Sequence, residues 1–263
     1  MKIWNVCFLW VIIRTGVMVM WIALGALLVS YIFPVGLLIF LINNHKGDKH
    51  YRKNCLTLFA QGIGLALPVF LGSLATRLVF ALLHLNELNP LVNDVFSSFI
   101  TEAMVEECMK YMCTRRMIRQ EHDNVSLMDV MAYACIPGIG FEVMEAFVYL
   151  FSTNIPQILV RGITNMHSVF GLIVGIIVGN GYKKGRKAPV IPALATSILI
   201  HGTYNLCLSE TLFDNWGFIS LIIAIACMIF IVVFYIKMIR KRKDPEFTAA
   251  LFPAEKATEV QTA

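Results

Sequence analysis

The sequence predicts an all-α, polytopic membrane helix bundle with about seven transmembrane helices. Three observations carry this expectation. Hydrophobic residues make up 58% of the chain and charged residues only 15%, against roughly 45–50% and 25% in ordinary soluble domains. Mean hydropathy is +0.71, concentrated in apolar runs near the roughly 20 residues that a helix needs to cross hydrocarbon. Basic charge also alternates from one connecting loop to the next, as in a chain threaded repeatedly through a bilayer.

In chain order, the segments long enough to cross are residues 17–42, 55–79, 91–113, 126–151, 157–179, 188–208 and 216–238. Ahead of the first, an apolar stretch at 3–13 follows Lys2 and ends at Arg14 without a small-residue cleavage site, so an uncleaved interfacial helix is expected there. Pro34, Pro68 and Pro137 fall inside spans, where neighbouring helices or waters can satisfy the backbone groups they free. Lys46, Lys49, Arg52 and Lys53 follow the first span; Arg115, Arg116 and Arg119 follow the third; Lys183, Lys184, Arg186 and Lys187 follow the fifth; Lys237 and the run Arg240 to Lys243 follow the seventh. The loops at 84–90, 152–156 and 209–215 carry no Lys or Arg. The positive-inside rule therefore assigns the basic loops and the C-terminus to the cytoplasm and the N-terminal side of the first span to the outside of a multi-pass plasma-membrane protein. Residues 1–243 read as one multi-span domain, and 244–263 as a short polar cytoplasmic tail expected to be disordered.

The formal net charge of +5 does not point to nucleic acid, because the cations sit in short clusters between apolar runs rather than along one face. The seven Cys form no C-x-x-C pair and lie mostly inside apolar runs, which makes packing their expected role.

Ionisable groups inside a span cost at least about 2.5–3.5 kcal/mol on insertion scales, so each should face the bundle interior and have a reason to be there. They collect in the third to sixth spans. In the third, Glu102, Glu106 and Lys110 follow at i, i+4, i+8 and share one helix face. The plain structural reading is a self-neutralising Glu106–Lys110 pair, and it leaves Glu107 in need of another partner. In the fourth, Glu142 and Glu145 are three apart and adjacent on the helix surface. Carboxylates this crowded require a cation, a base or a proton, and pairing with Arg161 or Lys110 is the structural alternative. The fifth places His167 on one face with Gly171, Gly175 and Gly179, a small-residue stripe that admits a close neighbouring helix. The sixth places His201 and Asn205 one turn apart. At about 1.5 Å per residue, Glu107, His167 and His201 all come to similar depth near mid-bilayer, with Glu145 nearer the outer surface.

Two imidazoles and a set of carboxylates are the ligands and bases of a hydrolytic site. Two His and one Glu hold Zn²⁺ with a water position open while a further Glu serves as general base; without a metal, a Glu activates water while His and Asn stabilise the oxyanion. The residue types permit both.

In order along the chain, Glu106-Glu107-x-x-Lys110, Phe141-x-x-x-Glu145, Arg161 with His167-x-x-x-Gly171, and His201-x-x-x-Asn205 resemble the signatures of the PrsW membrane proteases, a family distantly similar to the prenyl-protein endopeptidases and bacteriocin self-immunity proteins. The resemblance runs from about residue 91 to 205. Lys110 and Glu145 favour PrsW over the prenyl-protease branch, which typically has Glu-Glu-x-x-x-Arg and Phe-x-x-x-His. It implies a membrane-embedded endopeptidase acting on a membrane-bound protein substrate within the lipid bilayer, notably anti-sigma factors in bacteria. The catalytic set it implies is Glu106, Glu107, Lys110, Glu145, His167, His201 and Asn205, with Zn²⁺ on His167, His201 and Glu107 in the metal form. No His-Glu-x-x-His, Gly-x-Gly-Asp or Gly-x-Ser-x-Gly motif points to another intramembrane protease class. Two other classes compete: a proton- or cation-coupled transporter, since buried Glu and His also make proton relays, and a non-catalytic scaffold that binds a partner helix through the glycine face. A transporter would be marked by inverted repeats, and no corresponding pair of broken segments stands out.

Overall fold

The computed structural model describes residues 2–45, 47–84, 89–152, 164–185, 188–209, 211–241 and 243–252. Its elements are helical throughout: α1 (Lys2–Ile42), α2 (Lys49–Gly64), α3 (Ala66–Leu82), α4 (Pro90–Phe96), a π-helical stretch (Ser97–Met104), α5 (Val105–Gln120), α6 (Leu127–Ser152), α7 (Met166–Lys183), α8 (Val190–Cys207), α9 (Phe213–Lys241) and α10 (Pro245–Thr248). The all-α membrane bundle expected from composition is what forms.

Five stretches among the described residues are long and apolar enough to cross a membrane: Met18–Ile42, Lys49–Leu82, Leu127–Tyr149, Val190–Cys207 and Asn215–Lys241. The two other expected spans take a different form. Residues 91–113 become α4, the π stretch and α5, which buries Glu106, Glu107 and Lys110. Residues 157–163 lie outside the described residues, while α7 is buried along most of its length. Helices wrapped by protein rather than lipid need not be uniformly apolar. The lipid-facing character sits on the outer elements, where Leu28 and Ile32 of α1, Leu67 and Phe70 of α3, and Leu221 and Ile229 of α9 are exposed.

The hub is α6, which packs against α1, α2, α5 and α7 and has Val130, Ala132, Cys135, Ile136 and Ile139 fully buried. Close approach is written in glycine. A Cβ on Gly171 would stand 2.1 Å from the Ala134 carbonyl oxygen, and one on Gly175 2.9 Å from the Met131 Cα, so the stripe on α7 is the seam with α6. Pro137 is accommodated by a neighbouring helix, as expected. Pro137 cannot donate to the Tyr133 carbonyl, and Thr114 of α5 donates its hydroxyl there instead at 3.2 Å. Pro68, lacking the N–H that would close the turn at Gly64, separates α2 from α3.

Two expectations change at the ends. The apolar stretch at 3–13 is continuous with the first span as one helix, since only Gly16 weakens the helix between them. Residues 244–252, expected as a disordered tail, form α10 and then a strap: Asp244 caps α10 at the Glu246 N–H, Leu251 donates to the Val125 carbonyl at 2.8 Å, and Phe252 stacks on His122. Apolar Phe247, Leu251 and Phe252, packed against the core, supply the burial that overrides the polar composition. Residues 253–263 lie outside the described residues. Cys55, Cys108, Cys113, Cys135, Cys207 and Cys227 are free thiols, buried or half-buried.

Candidate functional site

Four helices deliver ionisable side chains to one level of the bundle. From α5, Glu106, Glu107 and Lys110 share a face at spacings of three and four and are all buried. From α6 come Glu142 and Glu145, from α7 His167, and from α8 His201. The nearest ligand atoms of Glu106, Glu107, His167 and His201 all lie within 4.8 Å of one another.

Lys110 is the cation at the centre. Its Nζ donates to Glu107 Oε1 at 2.7 Å and to His167 Nδ1 at 2.9 Å, and stands 3.5 Å from Glu106 Oε2. The self-contained Glu106–Lys110 pair is thus longer than the Glu107–Lys110 contact. Glu145, for which pairing with Arg161 or Lys110 was the structural alternative, bonds His167 Nε2, and Arg161 lies outside the described residues.

Donor chemistry fixes both imidazole tautomers. An ammonium only donates, so His167 Nδ1 is an acceptor and its Nε2–H donates to Glu145 Oε2 at 2.7 Å. A carboxylate only accepts, so His201 Nδ1–H donates to Glu107 Oε1 at 3.0 Å, which leaves His201 Nε2 bare and facing Glu106 Oε2 at 4.0 Å. Aromatic rings hold the imidazoles in place: Phe141 meets His167 edge-on at 5.0 Å, and Phe170 stacks on His201 at 4.9 Å.

Glu107 is saturated, because Ser197 Oγ donates to its Oε2 at 2.8 Å while Lys110 and His201 share its Oε1. Glu106 Oε2 is held more loosely, with Lys110 Nζ at 3.5 Å, His167 Nδ1 at 3.7 Å and His201 Nε2 at 4.0 Å. One layer outward, Asn205 Nδ2 donates to Glu102 Oε2 at 3.0 Å, and Arg77 of α3 reaches Glu102 Oε1 at 3.3 Å. Asn205 therefore lies beside the central cluster, one turn from His201, and Glu102 belongs with it.

The start of α7 is shaped locally. Asn165 takes a left-handed conformation at φ +46°, which Asn tolerates better than most residues. The helix then opens with the His167 N–H directed at Glu142 Oε2, 3.4 Å away, where a carboxylate complements the positive helix end. Asn165 and Ser197 were not among the sequence candidates. Ser197 sits four residues before His201, the same-face spacing that marked Asn205, whereas nothing in the sequence announces a left-handed residue at 165.

Two openings reach this layer. An apolar groove of about 450 Å³ between α3 and α6 runs past Val69, Phe70 and Phe141 to Glu145 and Glu102. A polar vestibule of about 210 Å³, lined by Asp94, Ser97, Ser98 and Ser209, meets Glu102 and Asn205 from the other side.

The fold and the site together define a multi-pass membrane protein built around a buried carboxylate, imidazole and ammonium centre. A family model for the PrsW family of intramembrane metalloproteases matches residues 51–236, and the chain belongs to that family. The match extends beyond the motif-bearing segment to α2, α3 and most of α9. The chain is similar to Protease PrsW of Oceanobacillus iheyensis, 27% identical over 115 residues that cover 42% of this chain and 54% of the relative. It is 25% identical to Protease PrsW of Bacillus subtilis over 126 residues, 46% of this chain and 57% of the relative. With Protease PrsW of Clostridioides difficile it shares 25% identity over 139 residues, 49% of this chain and 58% of the relative. The chain thus spans a little over half the length of these curated relatives. No solved structure matches.

Proposed function

We propose that this protein is an intramembrane protease that hydrolyses a peptide bond of a membrane-bound protein substrate. The observation that carries the reading is the buried convergence of Glu106, Glu107, His167 and His201 around Lys110 at the centre of the bundle. A set this expensive in hydrocarbon requires a use, and its donors and acceptors are those of hydrolysis. The apolar groove ending at Glu145 suits a substrate segment arriving from the lipid, and the polar vestibule suits water arriving from solution. Such a substrate is a single-span membrane protein, with anti-sigma factors as the class; the basic loops face the cytoplasm and the vestibule the outside.

Within this reading Glu106 takes the proton of the attacking water, since its Oε2 faces the bare Nε2 of His201 and is not saturated. Glu107 positions His201 and Lys110, Glu145 fixes the His167 tautomer, and Asn205 donates toward the oxyanion once released from Glu102. The donor set also fits a divalent metal: two imidazoles and a carboxylate lie within ligand reach of a shared point. In that alternative form His167, His201 and Glu106 would hold the ion, Glu106 serving as ligand rather than base in place of the Glu107 suggested by the sequence, while Glu107, committed to Lys110, Ser197 and His201, would orient His201 from behind. Such an ion would supply Lewis acidity to the scissile carbonyl and the attacking water.

The test is co-expression with a library of single-span substrates, with cleavage read by blotting. Glu106→Gln, Glu107→Gln, His167→Ala and His201→Ala should each abolish cleavage while membrane insertion stays intact. Full cleavage by both His variants sinks the proposal and moves the centre to the proton-relay transporter reading.

A further inference from the structure

At the end of the bundle that carries the basic loops, α6, α7 and α9 part around a cavity of about 170 Å³. Its floor is apolar, with Leu127, Met131 and Phe234, and its rim is cationic, with Lys183 from α7 and Lys237 and Lys241 from α9. The three ammonium groups surround one aromatic ring: Lys183, Lys237 and Lys241 Nζ stand 5.9, 5.8 and 5.5 Å from the centroid of Phe247. Phe247 is brought there by the C-terminal strap, which also supplies two carboxylates. Glu246 pairs with Lys183 and Asp244 with Lys241. Lys237 has no carboxylate partner among the described residues. Three cations thus face two anions, and Arg240 and Lys243 add further positive charge at the same end.

We infer that this cavity binds the phosphate of an anionic phosphate ester, the headgroup of an anionic phospholipid, with the strap's carboxylates as competitors for the same lysines. Lysines gathered as point charges suit a phosphate, which offers several oxygens to separate donors. The excess cation at Lys237 selects an anion over a zwitterion. An apolar floor beneath a charged rim, at the depth where spanning helices end, matches a lipid whose glycerol and first methylenes lie just inside the phosphate. Glu246 and Asp244 hold Lys183 and Lys241 when the cavity lacks a ligand, so removing a strap carboxylate frees cation for phosphate. The site is remote from the Glu106 centre and does not depend on the proteolytic reading.

The experiment uses the full chain in neutral detergent, titrated with short-chain phosphatidylglycerol, short-chain phosphatidylcholine and inorganic phosphate, with bound ligand counted by native mass spectrometry. Phosphatidylglycerol should bind in preference to phosphatidylcholine. Lys237→Gln should weaken it about fivefold, the usual effect of one lysine near an anionic headgroup, and Glu246→Gln should strengthen it by a similar factor. A gain in binding cannot arise from misfolding, so the Glu246 variant keeps the test decisive if a lysine variant is unstable. Inorganic phosphate that displaces phosphatidylglycerol at equal concentration would reassign the site to soluble phosphate esters and overturn the lipid source. Equal binding of the two lipids, or affinity unchanged in both variants, overturns the site itself.

Discussion

Adding one methyl group at successive glycines of α7 tests how the site is held. A Cβ on Gly171 would stand 2.1 Å from the Ala134 carbonyl oxygen, a Cβ on Gly175 2.9 Å from the Met131 Cα, and a Cβ on Gly179 2.6 Å from the Leu127 Cδ1. The first two obstacles include backbone, while the third is the tip of a flexible side chain that can turn away. Ordinary contact is about 3.5–4.0 Å, so Gly171→Ala forces α7 more than about 1 Å away from α6. Overpacking of this kind costs about 1–3 kcal/mol, against about 0.8–1 kcal/mol gained from helix propensity. With backbone on the receiving side the cost lies at the top of its range, for a net loss of about 2 kcal/mol. At about 2–4 °C per kcal/mol for a chain of this size, the Tm in detergent should fall by about 4–8 °C for Gly171→Ala, less for Gly175→Ala, and stay level or rise slightly for Gly179→Ala. His167 lies one turn from Gly171 and bonds Glu145 across the same seam, so cleavage by Gly171→Ala should fall about 10²-fold, the usual effect of a 1 Å misplacement. Scanning fluorimetry alongside the substrate blot reads both quantities. If Gly179→Ala is as damaging as Gly171→Ala, or Gly171→Ala matches the wild type, the seam does not position the site.

Reporters fused after Lys53, Arg119, Lys187 and Lys243 should be cytoplasmic and those near Asn89, Thr153 and Thr211 external; a cytoplasmic signal at Thr153 breaks the topology. Purified protein should carry near-stoichiometric Zn²⁺ that is lost in His167→Ala, His201→Ala and Glu106→Gln but largely kept in Glu107→Gln, whereas metal-free, chelator-resistant activity would leave Glu106 as an unaided base. Ser197→Ala removes a hydrogen bond to a charged group, worth about 1.5–3 kcal/mol, and should slow cleavage about 10- to 100-fold; Asn205→Ala should lose about 10²–10³, as an oxyanion donor does, and stay above the Glu106→Gln level. In the loop between α1 and α2, the hydrogen bond from His45 to Asp129 holds the imidazole above its ordinary value. That contribution to stability is complete below about pH 6.5 and fades as pH rises through the raised value, so Tm should decline with pH in the wild type and flatten in His45→Gln. Parallel profiles for the two proteins would refute that role.

Much of this site was legible because helical spacing is rigid. Glu106, Glu107 and Lys110 at intervals of three and four, and His201 with Asn205 at four, could only line one face each, and the glycine stripe fixed which side of α7 met a neighbour. Which atom bonds which was not legible, because it depends on how four helices rotate against one another. The sequence offered Glu106–Lys110 as the natural pair, yet Lys110 makes its shorter bond to Glu107. The ordering of residues 244–252 was not legible for a different reason. Composition over twenty residues averages away three apolar side chains, Phe247, Leu251 and Phe252, that are enough to anchor a strap. The interior position of α5 and α7, which the sequence offered as parts of spans 91–113 and 157–179, follows from packing that no single segment encodes.

The π-helical stretch at Ser97–Met104 separates two parts of what would otherwise be one rod. Its i→i+5 bonding takes up more chain per turn than an α-helix does, so the angular phase of α4 is set independently of α5. Ser73 of α3 braces the stretch by donating to the Thr101 carbonyl at 2.7 Å. Losing one residue here would let the turn rewind toward α geometry and swing Asp94 and Ser97 by about 100° around the shared axis, while Glu106, Glu107 and Lys110 keep their seats. The stretch is a swivel between mouth and centre, and a change in chain length at this point re-aims the vestibule without touching the groups below it.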